Sequence, residues 1–185
     1  MQGVGPERTG VLAGGRYPDR MTPLPEGWTD FGVAAAGATA ALAGLLIVAI
    51  SVNVSQIIAS KSAVHGARAT IASLVLAIGV SLLMLPSSQT LLGLGVATLV
   101  LGIAASAIQV SAIRAQWTAR EAGLTTGPRV AILALAAAQH VPFLAGGVLL
   151  LFGIESAPWW LVFGVVMVVV ASLVDAWVLL IEVRR

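Results

Sequence analysis

The long apolar stretches of this chain contain one acid, Asp175, and one histidine, His140. An ionisable side chain near a bilayer centre costs at least ~2.5 kcal/mol on insertion scales, so it must face protein or water rather than lipid. Helical rise sets its depth. His140 lies eleven residues beyond Arg129, about 16 Å, and Asp175 nine residues before Arg184, about 13 Å. Asn53, eight residues before Lys61, falls about 12 Å deep, and Gln109, five residues before Arg114, about 8 Å. Gln139 adjoins His140. His140, Asp175, Gln139, Asn53 and Gln109 thus share one half of the membrane, and the counting predicts a polar pocket open to the cytoplasm.

Pro142 bears on the same place. A proline inside a helix lacks the donor that would reach back four residues, here to the Ala138 carbonyl, so a kink is expected beside His140. A histidine paired with an aspartate beside a kink suits a proton relay or an ion pathway. It also suits an interhelical hydrogen bond that only holds two spans together. Both readings stay open at this point.

Catalytic chemistry finds little to work with. One His and one Asp without cysteine fall short of the three or four ligands of a metal site. No G-x-S-x-G, H-E-x-x-H or phosphate-cradling glycine loop occurs. The expectation is a non-enzyme without catalytic residues, metal or cofactor.

The elements that must position these residues are transmembrane helices. The 185 residues are 58% hydrophobic and 10% charged, with mean hydropathy +0.99, which excludes a water-soluble domain. A helix needs roughly 20 apolar residues to cross the hydrocarbon layer. Five stretches qualify, at about 31–58, 69–85, 91–113, 130–153 and 159–181. The expected fold is all-α, a five-span membrane bundle, with the third helix continuing past Arg114 towards Gly123.

Charge sets the orientation. The turns at Pro86–Thr90 and Ile154–Pro158 contain no basic residue, whereas Lys61, Arg68, Arg114, Arg120, Arg129, Arg184 and Arg185 fall in the other two connections and the C-terminus. The positive-inside rule places those basic regions in the cytoplasm, with the N-terminus outside and Trp28, Trp159 and Trp160 at the outer interface. The thinly spread basic residues report topology, so no nucleic-acid partner is expected despite a pI near 9.9. Residues 1–30, with Pro6, Pro18, Pro23 and Pro25 and no long apolar run, read as a disordered external tail without a cleavable signal, and Met21 offers a second start. Nine arginines against the single Lys61, with abundant Ala, Gly and Val, point to a GC-rich bacterial genome and hence a multi-pass inner-membrane protein.

Small residues recur at i and i+4 in the first span, as Ala36/Ala40/Gly44 and Gly37/Ala41. Such a surface lets helix backbones approach closely, either within the bundle or between copies. The expected partners are the bilayer and either further copies of the chain or another membrane protein.

The run Trp28-Thr29-Asp30-Phe31, followed by Ala40-Ala41-Leu42-Ala43-Gly44 and Val48-Ala49-Ile50-Ser51-Val52-Asn53, resembles the opening of a family of small actinobacterial polytopic membrane proteins. Some of its members are labelled modulators of FtsH protease. The resemblance covers the first span, implies a membrane-helical fold and transfers no functional residues. Together these features lead us to expect a structural or regulatory component of a self-assembled or larger membrane complex. The alternative is a small proton- or ion-coupled transporter or channel using His140 and Asp175.

Overall fold

The computed structural model describes residues 27–86, 88–119 and 126–181. The helices are α1 (Trp28–Val52), α2 (Val54–Ala59), α3 (Lys61–Leu83), α4 (Leu91–Ala119), α5 (Thr126–Leu151) and α6 (Ala157–Ile181), and the described residues contain no β-strand. Five segments are long and apolar enough to cross a bilayer: Trp28–Val52, Ala63–Leu83, Leu91–Ala115, Val130–Leu151 and Ala157–Trp177. The fold is an all-α membrane bundle. Of the expected tail, residues 1–26, including Met21, lie outside the described residues, as do Arg120, Arg184 and Arg185.

Local chemistry sets the ends of each helix. The stretch expected as one span over 31–58 divides at Asn53, whose φ of −111° and ψ of 21° end α1. The Asn53 carbonyl then accepts from the amides of Gln56 and Ile57, which starts α2. Ser60 caps α3 by accepting from the Ala63 amide at 3.3 Å. Pro86 disfavours helical geometry for the residue before it, and α3 stops at Leu83. Thr90 Oγ1 accepts from the Gly93 amide at 3.1 Å and opens α4.

The far end of α5 closes by another device. Gly153 takes a φ of 67°, its amide donates to the Leu150 carbonyl, and the Ile154 amide reaches back to Leu149. This is a Schellman turn, which needs a residue without a Cβ at the left-handed position. It reverses the chain within the few residues before Ala157. The α5 helix itself runs unbroken through Pro142.

Helices α3, α4, α5 and α6 form a ring, each packed on the next and α6 closing against α3. Helix α1 lies over the seam between α3 and α6. Leu74, Ala77, Val80, Leu94, Phe143, Leu161 and Val168 fill the interior. Close approaches set the register between neighbours. A Cβ on Gly95 would stand 3.0 Å from the Gly147 carbonyl oxygen, and one on Gly102 3.1 Å from Leu144. Phe143 in turn lies close enough against Gly164 that a Cβ there would sit 2.8 Å from its ring. At one end of the bundle Trp28 meets Trp159 edge to face at 5.4 Å between ring centroids. The described basic side chains Lys61, Arg68 and Arg114 occupy the opposite end.

Candidate functional site

The aspartate of the apolar core is held by a residue that depth counting does not single out. Thr70 of α3 donates its hydroxyl to Asp175 Oδ2 of α6 at 2.6 Å. Helices α3 and α6 run antiparallel, so Ser73, one turn on along α3, stands level with Ser172, one turn back along α6. Both serines are buried. Ser73 donates to its own helix at Ala69, and Ser172 Oγ has no partner among the described residues. The sequence does hold a signal for this seam. Thr70, Ser73 and Ser81 fall on one face of α3, and Ser172 and Asp175 on one face of α6, at helical spacings.

His140 belongs to a different seam. Its Nδ1 donates to the Ala136 carbonyl at 3.0 Å, and its Nε2 is buried without a partner among the described residues. The α4 residues Gly95, Leu99 and Gly102 face Leu151, Gly147 and Leu144 of α5. One more turn along each helix brings Ser106 level with His140, on the same two faces. Ser106 Oγ is likewise buried and unpartnered. Two polar side chains thus occupy the next rung of a seam otherwise made of glycine and leucine.

The remaining polar residues are separately placed. Gln139 is buried at 7% exposure and donates to the Leu135 carbonyl of its own helix at 3.4 Å. Asn53 is 2% exposed and donates to Ala49 at 3.1 Å, so it shapes the α1–α2 break. Gln109 is half-buried on α4, one turn beyond Ser106. His140 and Asp175 do not bond each other, because Nε2 has no partner and Nδ1 turns to its own helix. Register explains this separation: Phe143 on Gly164 puts His140 opposite residues near 167, two turns from Asp175. The structure therefore brings Asp175 to Thr70 and His140 to the level of Ser106.

The small residues of α1 separate by face. Gly32 packs inward, where a Cβ would meet the Ser81 carbonyl oxygen at 2.8 Å. Gly37 and Gly44 have nothing within 4 Å of that position. Ala40 and Ala41 are exposed beside them, and Ala36 is half-buried. Of the five spans α1 is the least buried, at 22% of its most apolar window.

Fold and polar distribution together define a multi-pass membrane protein. Comparison with protein-family models, with curated proteins and with solved structures finds no match for this chain. Its functional reading accordingly comes from geometry. Among the described residues no three His, Asp or Glu side chains gather as metal ligands would.

Proposed function

We propose that this chain is a non-enzymatic component of the bacterial inner membrane that assembles with further copies of itself through the outward face of α1. One observation carries the reading: Gly37 and Gly44 open onto empty space while Ala40 and Ala41 lie exposed beside them. In lipid, helix association depends on close packing rather than on apolarity, so a face of small residues is the one that profits from a second helix. The same α1 uses Gly32 to approach α3, so its two faces divide between holding the bundle and meeting a neighbour. Basic Lys61, Arg68 and Arg114 at one end support a cytoplasmic placement of that end, with the tryptophans outside.

Native mass spectrometry of the protein released from mild detergent tests this. The wild type should appear as an oligomer, and Ala40→Leu with Gly44→Leu should appear as a monomer. A monomeric wild type, or an oligomer that survives both substitutions, overturns the proposal.

A second reading, a proton or ion pathway, draws support from the partnerless His140 Nε2 and Ser106 Oγ inside the ring. Liposomes loaded with a pH dye would report flux that His140→Ala and Asp175→Asn abolish. Dye that stays silent with the wild type rules this reading out.

A further inference from the structure

The outer wall between α3 and α4 holds a groove of about 380 Å³. Ile71, Ala72 and Val75 line it from α3, with Ala104 and Ile108 from α4, and Arg68 stands at its end. In a membrane this space faces hydrocarbon, and its alanines make room that a bulkier seam would fill. The helical spacing of α3 carries the same face onward. Lys61, His65 and Arg68 continue the line of Ala72 and Val75 towards the basic end.

Arg68 lies inside the apolar span, five residues past its start at Ala63, or about 8 Å. A guanidinium at that depth reaches up to headgroup level and keeps its stem along apolar surface. The described acids do not meet it. Asp30 and Glu155 belong to the opposite end of the bundle, and Asp175 bonds to Thr70. Thr70 is two residues from Arg68, so the two side chains leave α3 on nearly opposite sides.

We propose that this groove binds an anionic phospholipid, its phosphate on Arg68 and one acyl chain laid between α3 and α4, with Lys61 two turns further out on the same face of α3. Charge decides the class of lipid, since Arg68 at headgroup depth, with Lys61 two turns further towards the basic end, selects a net negative headgroup over a zwitterionic one. The groove decides the position. Guanidinium pairs with phosphate through two parallel N–H···O bonds, which a lysine in its place cannot reproduce.

The test uses the full chain in detergent, stripped of lipid and titrated with phosphatidylglycerol or with phosphatidylcholine of the same acyl chains, read by native mass spectrometry. Phosphatidylglycerol should bind preferentially, and Arg68→Gln should lower that preference about fivefold. Ala104→Phe, which fills the groove from its exposed side, should weaken both lipids alike. Phosphatidylglycerol carrying a photoreactive acyl chain should label wild-type Ile71 to Leu76 and Leu101 to Ile108, which reads the site without any variant. Equal binding of the two lipids, unchanged preference in Arg68→Gln, or label spread evenly over all spans overturns the proposal. So does displacement of the lipid by inorganic phosphate alone, which would reduce the site to a surface charge.

Discussion

The Thr70 hydroxyl reaches Asp175 Oδ2 at 2.6 Å and ties the second span to the last. The sequence separation of 105 residues makes it a long-range link in a bundle whose other seams join mostly chain neighbours. Interhelical hydrogen bonds in membranes average about 0.6 kcal/mol and reach about 1.7. Thr70→Val removes the donor and keeps the shape, so it should lower stability by about 1 kcal/mol in reversible SDS unfolding. Asp175→Asn retains an acceptor oxygen and should cost less than Asp175→Leu. A double-mutant cycle that returns no coupling would show the pair to be adjacent without being bonded.

Helices α4 and α5 give a sharper contrast. A methyl on Gly95 would press on the Gly147 carbonyl, which belongs to backbone and cannot swing aside. Gly95→Ala should therefore cost about 1–3 kcal/mol through overpacking. Gly37→Ala meets nothing and should leave monomer unfolding unchanged or slightly improve it through helix propensity. Thermal unfolding in detergent, followed by circular dichroism, compares the two. Equal losses would count against the close register of α4 on α5.

Ser106 yields a prediction of opposite sign. Replacing a buried, unpartnered hydroxyl with a group of similar shape is neutral or stabilising. Ser106→Ala should hold or raise the unfolding midpoint, by up to about 1 kcal/mol. A clear loss of stability would mean that the hydroxyl is bonded after all, through a water shared with His140.

Topology is open to direct labelling, because the chain has no cysteine to mask the signal. Single substitutions Gln89→Cys and Ser156→Cys should react with an impermeant maleimide on intact cells. Lys61→Cys should react only after the membrane is broken. The reverse pattern would invert the orientation.

How much of this the sequence discloses depends on the kind of interaction involved. The spans are legible because lipid demands some twenty apolar residues in a row, roughly the hydrocarbon thickness divided by the helical rise, and Pro86 and the turn at Gly153 mark two hairpins plainly. The division at Asn53 is less so, since Val54–Ala59 is apolar enough to read as a continuation of α1. Counting gives an approximate depth along the membrane normal, but neither the register between neighbouring helices nor the rotation about each helix axis. These helices are apolar all round, so little in the pattern says which face turns inward. Counting therefore places Asp175 and His140 at similar depths, whereas the register of α5 on α6 sets them two turns apart and each faces a different neighbour. Thr70 is marked only by the polar face that it shares with Ser73 and Ser81, and its pairing with Asp175 shows once α6 is set beside it. In α1 the glycines at 32, 37 and 44 look alike in sequence, yet the first packs on α3 and the other two face outward.

The seat of α1 over α3 and α6 has a bearing on biogenesis. Helix α1 precedes α6 in the chain yet needs it for part of its seat, and both the Trp28–Trp159 contact and the Thr70–Asp175 bond wait for α6 as well. Until that helix enters the bilayer, α1 is held along one edge only. Its outward face of alanine and glycine is then accompanied by a second uncovered face. On the assembly proposed above, closure within one chain and pairing between chains would compete during that interval, and the arrival of α6 would decide between them.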